Sequence, residues 1–171
     1  MATFRIVSER SRLLAEARSS LHPIRGDFAG VVGDIEVETA QGRLDLRVPP
    51  KARVELDVGS LKTGNMLYDR ELERRLEVRK YPQVRAVVLE VKTLGAAGRY
   101  HVRGSLAFHG RTQSVEGEVS VRILDDGATL EVEGEKTLDM RDFGLEPPEI
   151  LMLRVYPEVR VWGRIVAQRA G

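Results

Sequence analysis

The chain has 171 residues, which suits one domain over 1–171, and its 42% hydrophobic and 31% charged content excludes a disordered polypeptide. A formal net charge of +1, with basic residues interleaved among Asp and Glu, leaves no electrostatic case for nucleic acid. Cysteine is absent, which excludes disulfides and thiol chemistry.

The N-terminal residues Met1-Ala2-Thr3-Phe4 enter a strand-like pattern without an apolar targeting segment, so a cytoplasmic protein is the expectation. No apolar run approaches the ~20 residues that span a bilayer, so no stable membrane insertion is expected. Phe4 and Ile6 open a series of alternating segments. Leu13-Ala15-Ala17, Val31-Gly33-Ile35-Val37, Leu44-Leu46-Val48 and Ala52-Val54-Leu56-Val58 follow. Successive side chains of a strand point to opposite faces, so this alternation predicts half-buried strands. Turn signals separate them: Gln41-Gly42, Pro49-Pro50, Gly95, Gly98, Gly110 and Asp125-Asp126-Gly127. Many short strands at roughly ten-residue spacing belong to a sandwich or a barrel.

One segment, 65–80, breaks the alternation. It is rich in helix formers, and Leu72 and Leu76 sit four residues apart on one helical face. Asn65 can cap it, and Tyr81-Pro82 ends it, because the residue before proline is driven out of the helical region. A single amphipathic helix in an all-β chain fits either a lid over a barrel opening or a helix lying flat outside.

Beyond residue 83, Val87-Leu89-Val91 leads into strands that carry glycine on their apolar side. These are Tyr100-Val102-Gly104-Leu106-Phe108, Val115-Gly117-Val119-Val121-Ile123, Leu130-Val132-Gly134 and Val159-Val161-Gly163-Ile165-Ala167. Glycine gives a strand no side chain with which to fill a core. Repeated on the buried face, it either bends strands at barrel corners or leaves space for a ligand.

Several motifs resemble the YceI-like family. Gly59-Ser60-Leu61-Lys62-Thr63-Gly64-Asn65, then Tyr68-Asp69 and Leu72, then Lys80-Tyr81-Pro82, look like its central signature. Val102-Arg103-Gly104-Ser105-Leu106 with His109-Gly110-Arg111-Thr112 resembles its hairpin, and Asp142-Phe143-Gly144-Leu145 its closing segment. Gly26-Asp27-Phe28 with Gly30 and Gly33 resembles its early glycine-phenylalanine region. Asp69 and Leu72 match the family pattern, whereas Tyr68 and Glu71 stand where the family has Arg and His. The resemblance implies an all-β fold: a single antiparallel eight-stranded lipocalin-like barrel with one short helical segment near 65–80. It also implies a polyisoprenoid or similar long-chain lipid as partner, no cofactor and no catalytic residues, and it leaves a homodimer open.

On this reading the lumen is lined by Val102, Gly104, Leu106, Phe108, Gly117, Val119, Val121, Val132 and Ile165. Leu72, Leu76, Phe143 and Leu151 stand near a mouth, and Phe28 joins them from the early region. Pro147-Pro148 reads as a rigid surface turn. The expected function is non-enzymatic binding, transport or storage of an isoprenoid-type lipid. Two alternatives are a small barrel enzyme using His22 with Asp69 or Glu71, and a filled-core interaction module presenting Trp162. His101 and His109 fall on the polar parity, pointing outward, and are too far apart along one strand to share a metal.

Overall fold

Alternating strands become a closed wall once their ladders meet edge to edge. In the computed structural model, which describes residues 1–171, the chain begins with β1 (Ala2–Ile6), β2 (Arg12–Ser19), β3 (Ile24–Phe28) and β4 (Val32–Val37). A ribbon of β5 (Thr39–Ala40) and β6 (Arg43–Leu44) precedes β7 (Lys51–Asp57) and the one α-helix, α1 (Met66–Arg75). Then come β8 (Gln83–Thr93), β9 (Arg99–Phe108), β10 (Arg111–Leu124), β11 (Thr129–Asp139), β12 (Glu149–Ile150) and β13 (Leu153–Arg169).

The antiparallel order β1-β4-β7-β8-β9-β10-β11-β13 returns to β1 through the Phe4–Arg169 pairing, closing an eight-stranded barrel. β2 and β3 continue the β1 and β4 positions toward the other end, with β2 on β13 and β3 on β2. The first two staves of the barrel are therefore each broken midway.

At one end the inward side chains of Phe4, Ile35, Val37, Leu130 and Ala167 pack into a solid floor. The β5–β6 ribbon is tied across it, with the Leu44 N–H donating to the Tyr100 hydroxyl at 3.3 Å. At the opposite end α1, a short turn at Met140–Phe143 and the β12–β13 hairpin form a lid, where Ile24, Ile150, Leu153 and Val155 cluster with Tyr68, Leu72 and Met140.

α1 starts where its cap dictates. Asn65 Oδ1 accepts from the N–H groups of Leu67 and Tyr68 at 2.9 and 3.2 Å. The Asp69 carboxylate accepts from the Thr63 backbone N–H and hydroxyl at 2.8 and 2.7 Å, fixing the entry loop. The helix stops at Arg75, short of the expected residue 80, because Glu77 takes a left-handed φ of 49° and the chain doubles back. Proline 82 comes after the helix has already ended.

Four further expectations need correction. Leu44-Leu46-Val48 forms no strand beyond Arg43–Leu44: the Asp45 side chain accepts from the Arg47 backbone and guanidinium, so a local turn replaces the ladder. Val87 and Leu89 face solvent, because a register shift between Val88 and Glu90 leaves Val84, Ala86 and Val88 on the inward side before it and Val91 after it. Ile24–Phe28 is a strand that alternation did not single out, since its middle inward residue is Gly26, packed against Leu61. Pro148 is buried in the lid, and its carbonyl accepts from Val155 N–H, so the Pro147-Pro148 pair is no surface turn.

The glycine beat divides. A Cβ at Gly104 would stand 2.6 Å from the Val87 carbonyl oxygen, so this glycine permits close strand approach at the bulge and leaves no space. Gly117 differs: the nearest group to a Cβ there is the Lys136 stem at 3.7 Å.

Candidate functional site

Between floor and lid the barrel is unfilled. The cavity measures about 310 Å³, and 23 of its 29 lining residues are hydrophobic, which fits an apolar occupant. One wall carries Val54 and Leu56 of β7, Val84 and Ala86 of β8, and Leu106 and Phe108 of β9. The facing wall carries Leu13, Ala15 and Ala17 of β2 with Val159 and Val161 of β13. Leu72, Leu76, Phe143 and Ile150 close the lid end, so α1 is a lid rather than an external helix.

Six sequence candidates lie on this cavity: Phe28, Leu72, Leu76, Leu106, Phe108 and Phe143. Val102, Gly104, Gly117, Val119, Val121, Val132 and Ile165 do not line it. They occupy inward positions nearer the floor, where Val132 packs against the floor cluster. Leu151 sits at the β12–β13 tip with φ 46° and points to solvent, 49% exposed. Period-2 alternation identifies the inward face but carries no information on height along the barrel. The missed lining residues Val54, Leu56, Val159 and Val161 were on the same beat, and a floor assignment would have found them.

His109 is held inside the lid contacts, not on an outer strand face. It occupies the β9–β10 turn at φ 54°, its side chain 11% exposed. Nδ1 stands 3.1 Å from the Phe143 carbonyl, Nε2 stands 2.7 Å from the Glu77 carboxylate, and Tyr81 packs on the ring at 4.4 Å. Gln113 adds a bond from Nε2 to the Asp142 carbonyl at 2.8 Å. The lid is thus fastened to the barrel rim by side chains from β10 and the turn before it.

Of the polar groups that border the cavity, Glu146 is exposed at the lid, and Glu16, Thr63 and Arg75 are committed to other partners. The Thr63 hydroxyl donates to Asp69, and Arg75 pairs with Glu71 at 3.6 Å. Hydrogen bonding from Arg74 holds the Glu71 carboxyl below its ordinary range. His22 lies outside the cavity wall, stacked on Tyr68 with its Nδ1 3.0 Å from the Pro23 carbonyl. The base-and-orienter pair that the enzyme alternative needs is not assembled: Asp69 serves Thr63, and Glu71 serves Arg74. Nowhere do three or more His, Asp or Glu side chains converge on a metal position. Trp162 stands on the outer face opposite Glu135 and Leu14, half-buried.

A closed eight-stranded barrel with an apolar lumen and a helical lid has a counterpart in sequence. The YceI-like domain model matches residues 4–167. The chain belongs to the YceI-like family. Its barrel superposes on BcnA of Burkholderia cenocepacia with a TM-score of 0.80 at 22% identity, covering 95% of this chain and 99% of that one. A polyisoprenoid binding domain from Saccharophagus degradans gives 0.75 at 16% identity, covering 99% and 100%. The YCEI protein of Campylobacter jejuni gives 0.64 at 14% identity, covering 86% and 85%. No curated protein matches the chain in sequence. No helix of this YceI-like chain is long and apolar enough to cross a membrane.

Proposed function

We propose that this protein binds the hydrocarbon chain of an isoprenoid-type lipid in the cavity beneath α1, without chemical conversion, and carries or stores it. The observation that supports the reading is the unfilled apolar lumen of about 310 Å³ between a packed floor and a helical lid. Native interiors are close-packed, so an unfilled lumen of this size is the exception that calls for an occupant. Its aliphatic lining of Val, Leu and Ala favours a flexible branched chain over a planar aromatic one. Each buried CH₂ contributes about 0.8 kcal/mol, so a long chain is held tightly with few hydrogen bonds. The polyisoprenoid-binding relative from Saccharophagus degradans is consistent with that ligand class. A solid-packed interaction module loses its basis, since the lumen is not filled.

Native mass spectrometry of the purified protein, with solvent extraction of bound material and added polyprenyl lipids, tests the reading. A stoichiometric lipid adduct is the expected result. An unchanged apo mass at saturating lipid would overturn it.

A further inference from the structure

The ladders around the barrel are interrupted in more than one place: β3 has no strand partner beyond β2 and is held on its other side only by the Asp27–Lys62 backbone bonds, and the β10–β11 seam opens toward the lid end. The β10–β11 ladder runs from Leu124–Thr129 only as far as Val119–Gly134. Beyond that point β10 pairs with β9 alone, through Arg111 to Glu118, while Glu135 to Asp139 of β11 pair with β13 alone. The turn after β11 covers the rim of this gap, where Arg111 lies against Gly144 and Gln113 holds Asp142. Lower down the gap is flanked by Gly117 on one side and Lys136 on the other.

Lys136 breaks the pattern of the lumen. It pairs with Val161, a cavity-wall residue, so it takes an inward position, two residues from Leu138 on the same wall. Among inward strand positions three carry charge: Arg111 at the rim turn, Arg169 at the outer end of the floor opposite Phe4, and Lys136, which alone stands midway along the wall. The Lys136 stem crosses the gap, its Cδ 3.7 Å from where a Cβ on Gly117 would stand. Neighbouring carboxylates do not engage it: Glu135 pairs with Arg160, and Glu131 with Arg164 and Arg122. An unpaired ammonium at an inward position of an otherwise apolar wall costs desolvation unless it stays wet or meets an anion. The gap keeps it solvent-accessible.

Resting on the lipid-binding reading above, we infer that the ligand ends in an acidic group, a phosphate or a carboxylate, held by Lys136 in the gap between β10 and β11. The chain of the ligand runs from there between Val161 and Leu138 into the cavity under α1. Lysine acts as a point charge on phosphate and carboxylate oxygens, and the missing side chain of Gly117 leaves room for its stem.

The test is competition against a fluorescent polyprenyl probe by geranylgeranyl monophosphate, geranylgeraniol and a fatty acid of matching length. At least one acid is expected to bind about tenfold more tightly than the alcohol, equivalent to about 1.4 kcal/mol. Lys136→Met, which keeps the stem, is expected to bring that acid to the level of the alcohol, and raised salt to narrow the difference in the wild type. Equal affinities of acids and alcohol, or a preference that survives in Lys136→Met, would overturn the inference while leaving the lumen occupied. Failure of every compound to displace or bind would overturn the lipid-binding reading itself, and this inference with it.

Discussion

The imidazole of His109 stands 2.7 Å from the carboxylate of Glu77, Nε2 to Oε2, joining the β9–β10 turn to the chain just beyond α1. The other ring nitrogen meets the Phe143 carbonyl at 3.1 Å. Both partners are acceptors, and Tyr81 packs on the ring at 4.4 Å. One side chain therefore clamps the two halves of the lid to the barrel rim.

His109→Ala is expected to loosen the lid before it unfolds the barrel. Losing both bonds and the Tyr81 contact is expected to cost about 1–3 kcal/mol, measured as a lower urea midpoint. Hydrogen exchange is expected to rise in 66–80 and 140–152 while the floor strands keep their protection. Uniform loss of protection would show that the residue supports the whole fold instead.

The two glycines that alternation treated alike are expected to respond differently. Gly104→Ala forces a Cβ to within 2.6 Å of the Val87 carbonyl oxygen, and relieving that contact is expected to cost about 1–3 kcal/mol. Gly117→Ala meets only the Lys136 stem at ordinary contact distance, and is expected to leave the melting temperature unchanged or slightly raised. Equal melting temperatures for the two variants would contradict this distinction.

The strands and the single helix were legible in the sequence because each depends on local chemistry, whereas alternation left sandwich and barrel open until the YceI-like motifs implied the barrel, and the lid position of the helix stayed one of two readings. Period-2 alternation names strands, Asp125-Asp126-Gly127 names the β10–β11 hairpin, and Asn65 names the helix start. The site was only half legible. Leu106 and Val102 lie on the same inward beat, yet the first borders the cavity and the second does not, because the height of the floor depends on how Phe4, Ile35 and Leu130 meet across strands distant in sequence. The Val88–Glu90 bulge and the β10–β11 gap are likewise cross-strand events, without a local signature.

Cavity and surface variants separate lumen binding from adhesion to the protein exterior. Leu106→Trp places a larger ring within the cavity wall and is expected to abolish lipid uptake while the far-ultraviolet circular dichroism of the barrel persists. Leu151→Ser, on the exposed hairpin tip, is expected to bind lipid like the wild type. Uptake reduced by Leu151→Ser and not by Leu106→Trp would put the lipid outside.

Glu131 ties the outer face together. Its side chain, nearly buried, accepts from Arg164 at 3.0 Å and lies 3.5 Å from Arg122; the hydrogen bond from Arg164 holds its carboxyl below the ordinary value of 4.5. A depressed folded value means that the contribution is fully present above 4.5 and is lost as the pH falls through the lower folded value. Glu131→Gln is expected to lower stability at neutral pH by about 1 kcal/mol. The gap in melting temperature from the wild type is expected to close on acidification below 4.5. A gap that stays constant with pH would show that the carboxylate charge contributes nothing.

The central claim, that the space beneath α1 is a lipid site, is tested most directly by a crystal structure of the protein saturated with a polyprenyl lipid. Continuous ligand density bordered by Leu76, Leu106 and Phe143 is the result predicted. A lumen collapsed by rotated side chains, or lipid density confined to the outer surface, would contradict it.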